Sequence, residues 1–539
     1  MSAGYRASVL VVGGGPVGLA AAMELDYHGV STIVVEPRES VSYLRPRAKT
    51  TSARTMELFR RWGFAETIRK VAPLHIDWSK DIVFVTTVTG HEVTRITGAL
   101  GLTLDDVEVS AEPSQQIAQP IAEQAMRDAL AKSPRSQLLL GWKATEIGQG
   151  PDSVVVTVEN TDGVTATVEA DYLVGADGPR SVVRSAIGAS YVGTSIPRAN
   201  ISITFESEAL DTLIPHGPAV QYWVLNPDSP GIVGRLDLDK TWWAISTARP
   251  GDGTDSEVDP ELIVKELLGA DIPVRVIATD PWVARTLIAD SYRDRRVFII
   301  GDAAHQNPPW GGHGFNTGVG DAINIGWKLA AVLKGWAPTA LLNSYEGERR
   351  PIAEQFVAAA AENGKSGPMA LGTPELMLEG EEFEKAREQV AAGVQFAKRI
   401  EFHSDGLIFG LGYDGQAGGQ TTNGSDYTPI AASGNRLPHK WLTPGVSLYD
   451  RLGPDFTVIG AAADVATLVD LAVERHVPLA TLDDPTLKLD EFFGAKVILV
   501  RPDQYIAWIG GPLNEASAAH ILDRALLGFG TPIPTTASA

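Results

Sequence analysis

Two acids, Glu36 and Asp302, each close a short apolar run, at 31–35 and 297–301, and each is matched to a cluster of glycines. A carboxylate at the end of a buried strand points into whatever binds at the carboxyl edge of the sheet, which is where open α/β sheets take ligands. Upstream of Glu36, the apolar run 7–12 is followed by Gly13, Gly15 and Gly18 in G-x-G-x-x-G spacing, with Pro16 and Val17 inside it and Glu36 23 residues after Gly13. That order suits a dinucleotide. The first glycine makes the turn, the second admits a pyrophosphate, the third lets helix and strand pack, and the acid takes ribose hydroxyls. Glu36 would also repel a 2′-phosphate, so this position is not one for NADP.

Around Asp302 the sequence reads Gly301-Asp302-Ala303-Ala304-His305 and continues through Pro308-Pro309-Trp310-Gly311-Gly312-His313-Gly314-Phe315-Asn316. The glycines let backbone approach a flat, bulky ligand, and the prolines fix φ and remove donors. From Asn316 the spacing turns helical, with Val319, Ile323, Trp327, Ala330 and Ala331 on one face. Amides of 314–318 are thus expected at a helix N-terminus, which favours developing negative charge.

The elements that must hold these groups follow from periodicity. Strands are expected at 7–12, 31–35 and 297–300, and at 82–88 and 92–96 outside the nucleotide fold. A helix that Gln116, Gln119 and Glu123 begin runs to about 130. A three-strand meander covers 137–147, 153–159 and 164–170. The runs 201–205, 220–225, 231–236 and 241–247 read as an antiparallel sheet rich in aromatics, with Trp242 and Trp243 on opposite faces. A small helix is expected over 260–268. The stretch 372–424 reads as helices and linker. A third domain opens at Gly434, with strands near 456–460, 478–482 and 497–500, and the tail beyond Gly528 is expected to fray.

At 539 residues the chain needs two or three cores. Its 45 basic and 66 acidic residues give a net charge of −21, which argues against nucleic acid or an anionic membrane as partner. The absence of cysteine excludes disulfides, thiolate metal sites and dithiol redox chemistry, so any redox step is expected on a bound organic cofactor. No metal is expected. Neither a signal peptide nor a membrane-length apolar run is read, and a cytoplasmic location is expected.

Three stretches resemble the motifs of the single-component FAD-dependent aromatic hydroxylases, the p-hydroxybenzoate and phenol hydroxylase group. They are the Gly13–Gly18 turn, the segment Asp171-Tyr172-Leu173-Val174-Gly175-Ala176-Asp177-Gly178-Pro179-Arg180-Ser181 with Arg184, and the Gly301–Asn316 segment continuing through Asp321, Asn324, Trp327 and Lys328. Weaker matches are Arg45-Pro46-Arg47-Ala48 with Arg54-Thr55-Met56-Glu57, the segment from Leu341 to Ala353, and Leu499-Val500-Arg501-Pro502-Asp503 with Ala507-Trp508.

The resemblance implies a Rossmann-like α/β FAD-binding domain (1–75, 108–185, 290–400) and an inserted antiparallel-sheet substrate domain (76–107, 186–289). A linker (401–433) and a thioredoxin-like C-terminal domain (434–539) follow. It implies FAD bound by Gly13, Gly15, Pro16, Val17, Gly18, Glu36, Arg38, Arg47, Gln119 (Gln116 as fallback), Asp177, Asp302, Pro309, Gly312, Gly314, Phe315 and Asn316. Arg54 and the segment 341–353 read as structural braces, His305 as a brace of the motif or a group that takes the phenol proton, and Arg180 and Arg184 as positive charge near phosphates, with pairing to Asp177 as the alternative for Arg184. No second G-x-G-x-x-G exists, so NADPH or NADH is expected only as a transient co-substrate. The implied reaction hydroxylates a small phenolic ring with NAD(P)H and dioxygen through a flavin hydroperoxide. The alternative is hydroxylation or Baeyer–Villiger insertion on a polycyclic or polyketide substrate. A flavin-binding protein without turnover is the third reading. Lys49, where several phenol-type relatives have histidine, Pro309 and His313 are the catalytic candidates, with a solvated surface cation as the other reading of Lys49, and a homodimer is expected.

Overall fold

The computed structural model describes residues 4–103, 108–247, 259–413 and 424–530. Its first sheet runs in the order Arg293–Asp294, Val297–Ile299, Thr165–Gly175, Gly4–Val12, Thr32–Glu36, Ser136–Leu140. The last five of these pair in parallel. Helices cover it, so its strands are near-continuous apolar runs, with Val9, Leu10, Val11 and Val34 fully buried.

The register explains how distant motifs meet. Val12 lies opposite both Val35 and Gly175, and Gly175 lies opposite Ile299. The chain therefore leaves four adjacent strands at one level, and Gly13, Glu36, Asp177 and Asp302 emerge along one edge. Gly13 needs its hydrogen: φ is +106° and a Cβ would sit 2.3 Å from the Ala176 carbonyl oxygen. Gly18 packs the Pro16–Tyr27 helix onto the turn, since a Cβ there would lie 1.9 Å from the Gly13 oxygen.

The expected meander is four strands. Its first run breaks at Gly141, where φ is +78°. Ser136–Leu140 joins the parallel sheet, while Trp142–Gln149 pairs antiparallel with Val154–Asn160. Gln116 is not helical: Gln115–Gln116 pairs with Thr50–Thr51, and the helix is Gln119–Leu130.

The second sheet runs His305–Gln306, Arg275–Ala289, Tyr191–Glu206, Thr241–Thr247, Gly231–Arg235, Gln221–Val224, Ile82–Val85, Glu92–Ile96. It departs from a purely antiparallel sheet at one pairing, Gln221–Val224 with Ile82–Val85, which is parallel. The 15-residue strand Arg275–Ala289 escaped periodicity because it is half-buried on both faces. Tyr222, Val233 and Trp242 face the helix Pro260–Leu268. Trp223, Ile232, Trp243 and Ile245 face the other way, as the alternation of Trp242 and Trp243 requires.

That second face is covered in part by the 22-residue helix Glu381–Phe402 through Phe383, Val390, Val394 and Phe402. This helix packs on the second sheet, and its last two residues, Glu401 and Phe402, lie in the stretch read as linker. Residues 414–423 of that stretch lie outside the described residues.

The C-terminal sheet runs Leu479–Leu482, Phe456–Gly460, Val497–Val500, Ile506–Gly510, one parallel pairing followed by two antiparallel ones. The helices Ala462–Glu474 and Glu515–Leu527 pack on it. The frayed tail is corrected at its start, where the Phe529 amide donates to Glu348 at 2.9 Å. Residues 531–539 lie outside the described residues.

Candidate functional site

Between the parallel edge and the aromatic face of the second sheet lies a cavity of about 920 Å3. It gathers Gly13, Gly15, Pro16, Val17, Glu36, Arg38, Arg47, Lys49, Gln119, Asp177, Asp302, Pro309, Gly312, His313, Gly314 and Phe315 in one wall system. Two expected site residues do not line it. Gly18 sits beneath the turn, as a packing glycine should. Asn316 braces the loops instead: its Oδ1 accepts from the Ser52 amide and the Thr55 hydroxyl, and its Nδ2 donates to the Thr50 and Gly312 carbonyls.

Each acid is held from behind. Glu36 accepts from the Gly14 amide at 2.8 Å and from Arg38 Nε at 2.6 Å, and Arg38 also reaches Glu123 at 2.9 Å. Asp177 accepts from the Ser181 hydroxyl and the amides of Val182 and Val183, capping a short helix, and burial raises its carboxyl against these bonds. Arg184 does not pair with it. Its guanidinium donates to the Ala303 and Pro179 carbonyls and packs on Tyr191. Asp302 stands open to the cavity at the sheet edge, yet protein surrounds it deeply enough that burial raises its carboxyl, against the pull of His305 and Arg47.

The turn that presents Asp302 is fixed by Asp321, which takes the Gly301 amide at 3.1 Å, His305 Nε2 at 2.8 Å and Arg349 Nε at 2.8 Å. His305 thus belongs to the brace and does not line the cavity. The long helix begins at His313, three residues earlier than its periodicity shows, with Gly312 at φ +69° as cap. The amides left free by helix geometry are therefore those of 313–315, rather than 314–318.

Lys49 is placed by the pairing of Thr50–Thr51 with Gln115–Gln116 and by the Ile117 amide on its own carbonyl. Its ammonium lies 4.2 Å from the centre of the Trp243 ring and donates to the Arg47 carbonyl at 3.2 Å. Burial without a carboxylate partner brings its pKa down to about 8. It is a cavity cation, and the surface reading of Lys49 is set aside.

The Pro309 carbonyl accepts the Gly312 amide at 3.0 Å, so its first role is to close the glycine turn. His313 is 3% exposed and packs on Phe356. It separates the cavity from a smaller void of about 60 Å3, and burial takes its pKa down to about 4. A neutral imidazole with that pKa is a poor proton acceptor at neutral pH.

The opposite wall is aromatic and aliphatic: Trp223, Ile232, Trp243, Ile245, Leu100, Trp310 and Phe402. Trp243 lies across the neighbouring strand, where Gly234 leaves room for its indole. Glu401 is the acid on this side. Burial raises its carboxyl, while Lys398 and the Gly311 amide pull it back. Sequence reasoning missed Glu401, Phe402 and Trp310. The sign available was the i, i+3 pair of Lys398 and Glu401 beside an apolar helical stripe.

The walls fit an FAD molecule. A Cβ on Gly15 would meet nothing within 4 Å, so bare backbone faces the cavity beside a helix N-terminus, a place for pyrophosphate. Arg47 stands near, and the acids Glu36 and Asp302 occupy positions suited to sugar and polyol hydroxyls.

Residues 6–360 match the family model described as "FAD binding domain", and residues 431–532 match "Aromatic-ring hydroxylase, C-terminal". The chain is 31% identical to the tetracenomycin B2 monooxygenase-dioxygenase of Streptomyces olivaceus, over 93% of this chain and 94% of that one. It is 30% identical to the 2,4-dichlorophenol 6-monooxygenase of Delftia acidovorans, over 94% and 96%. Among solved structures, the rebeccamycin biosynthetic enzyme RebC with reduced flavin superposes with a TM-score of 0.88 at 32% identity, covering 97% of this chain and 99% of that one.

Proposed function

The chain belongs to the FAD-dependent aromatic-ring monooxygenases, and from that premise we propose that it hydroxylates a flat, hydroxyl-activated substrate of more than one ring, with NAD(P)H and dioxygen as co-substrates. One observation carries this reading: the dinucleotide edge and a broad aromatic sheet face bound the same cavity. Flat substrates are held chiefly by buried area, and stacked indoles supply it. The tetracenomycin relative favours the polycyclic form of the reading, and the dichlorophenol relative keeps a single-ring phenol as the second one.

FAD, when bound, supplies the hydride-accepting and oxygen-activating chemistry. In our reading the chain's own residues bind and tune. Gly13, Gly15, Pro16 and Val17 line the pyrophosphate path, with Gly18 packing beneath it. Glu36 and Arg38 take the adenosine ribose. Asp302, Gln119 and Arg47 take the ribityl and pyrophosphate side, and Asp177 closes that end. Gly312, Gly314 and Phe315 lie along the ring, where the free amides at 313–315 favour negative charge. Pro309 shapes the loop and His313 backs it as a neutral wall.

Lys49 is the electrostatic group. A phenol with a pKa of about 10 is scarcely ionised at neutral pH. An ammonium held over Trp243, with a donor to spare, favours the phenolate, whose ring is the better nucleophile. Lys49 is protonated below about pH 8 and loses that role above it.

We further propose that the enzyme is a homodimer, works in the cytoplasm and draws on NADPH or NADH. No helix among the described residues is long and apolar enough to cross a membrane.

The test is substrate-stimulated NAD(P)H oxidation by the purified yellow protein. It is offered phenol, 2-naphthol and 2-hydroxyanthraquinone, with product identification. Hydroxylated product is expected, with the two- and three-ring phenols ahead. Yellow protein that oxidises NAD(P)H but hydroxylates none of the three would overturn the reading.

A further inference from the structure

The helix Glu381–Phe402 carries a buried ion pair into an otherwise apolar wall. Lys398 and Glu401 side chains are 0% and 2% exposed, with Nζ and Oε2 2.6 Å apart. Lys398 is fully engaged: it also donates to the Asn363 carbonyl at 3.1 Å and packs 4.4 Å from the centre of the Trp223 ring. Glu401 is not. One oxygen takes Lys398, the Gly311 amide is near enough to draw the carboxyl down, and the side chain lines the cavity with Trp310 and Phe402. A carboxylate offers about four acceptor positions, so acceptor capacity remains where a ligand would lie. A buried ion pair is a weak device for stability, because desolvation offsets much of its attraction. Placing one among Trp223, Trp310 and Phe402 therefore asks for another reason.

We propose that Glu401 is a specificity residue that accepts a hydrogen bond from a hydroxyl or ring N–H on a polycyclic substrate lying along the half-buried Trp310, with Lys398 as the positioning residue that fixes its rotamer. The inference rests on the polycyclic reading above and names the edge chemistry that such a substrate must carry. Of the other polar groups near this aromatic wall, Lys49 over Trp243 offers donors and no acceptor, and the amide oxygen of Gln221 is taken by the Trp223 indole at 2.9 Å. A donor on the substrate edge thus meets Glu401, while an edge without one leaves a buried carboxylate oxygen unmatched.

The test uses flavin-loaded protein and a matched pair of probes, 2-hydroxyanthraquinone and 2-methoxyanthraquinone, whose binding is read from the flavin absorbance change. Wild type should bind the hydroxyl compound about tenfold more tightly than the ether, the usual weight of a hydrogen bond to a charged group. The paired replacement Lys398→Met with Glu401→Leu removes both charges together and should take away most of that preference, leaving only the share owed to Lys49, while still binding the ether. Should the double variant fail to hold flavin, Glu401→Gln serves, and the preference should fall by at least half. An undiminished preference in these variants overturns the role of Glu401 and leaves the polycyclic reading standing. Failure of both probes to perturb the wild-type flavin overturns the polycyclic reading, and the inference with it.

Discussion

Besides Lys398, two other lysines are enclosed by the protein, and their surroundings treat them differently. Where the C-terminal layer meets the nucleotide domain, Lys328 donates to Glu348 and to the Ser344 hydroxyl, both at 2.7 Å. Glu348 in turn takes both Arg501 nitrogens at 2.8 Å, the Asn324 amide group and the Phe529 amide. In the cavity, Lys49 has a backbone carbonyl and the face of an indole. Burial lowers both lysines to about 8. At the interface every charge has a partner from another element, so the network fixes how the layers sit. In the cavity the cation has donors to spare and no counter-charge among the described residues, an arrangement that costs stability until a ligand completes it. At the interface the partnered charges fix the layers, and on the proposed function the unpartnered charge of Lys49 serves the substrate.

The sharpest way to break that comparison is Glu348→Ala. It strands Lys328 and Arg501 in the interior and should destabilise the protein by about 3–5 kcal/mol, read from chemical denaturation. The fraction that stays folded and yellow should turn over normally. Burial works against the Glu348 carboxylate, but Arg501 and Lys328 hold its pKa well below the usual range. Its stabilisation is therefore in place above the ordinary carboxylate pKa and is lost only as acid drives the pH through the lowered one. A variant of unchanged stability would show that the interface network is ornamental. Next in size is Asp302→Ala, on the cavity side. It should give largely colourless protein of near-normal stability; full flavin occupancy would remove Asp302 from the site.

The two regions also differed in how legible they were. The nucleotide edge was open to reading because its chemistry is local: a glycine turn and an acid at the end of an apolar strand appear within one stretch. Convergence of Gly13, Glu36, Asp177 and Asp302 then follows from parallel register. The role of Asn316 was misread because its four hydrogen bonds go to Ser52, Thr55, Thr50 and Gly312, and three of those partners lie more than 250 residues away. Glu401 was hidden for a related reason. Its helix looks like a polar linker until the aromatic face of the second sheet gives its apolar stripe something to cover. The strand Arg275–Ala289 has no clean alternation to announce it. What sequence shows poorly here is contact made across separate layers.

Lys49→Ala sharpens the comparison from the functional side. It should lower hydroxylation about 10- to 100-fold, the scale of one hydrogen bond to a charged group, and slow flavin reduction much less. Wild-type activity should fall as pH rises through about 8, where the ammonium is lost, and the variant should lack that alkaline limb. The sign for stability is opposite. The folded pKa lies below the ordinary 10.5, so the unfolded chain binds the extra proton, and the lysine's penalty is relieved as pH climbs from about 8 towards 10. Unchanged coupling of NAD(P)H use to product would return Lys49 to a packing role.

The smallest effect is expected at His313, the wall between the cavity and the void behind it. Its pKa of about 4, set by burial from an ordinary 6.5, leaves it neutral wherever the enzyme works. His313→Asn should thus leave the shape of the pH–rate profile above pH 5 unchanged and alter the rate by less than about fivefold, below the 10²–10⁴ of a working acid–base group. The footprint should be in stability. Between pH 6.5 and 4 the unfolded chain binds a proton that the buried imidazole refuses, so the wild type loses stability as pH falls, by about 1 kcal/mol between pH 6 and pH 5. Asparagine removes that term, and the variant's denaturation midpoint should fall less steeply over the same interval. A pH–rate limb near 6 that vanished in the variant would instead make His313 a proton-transfer group and give the cavity two titrating residues in place of one.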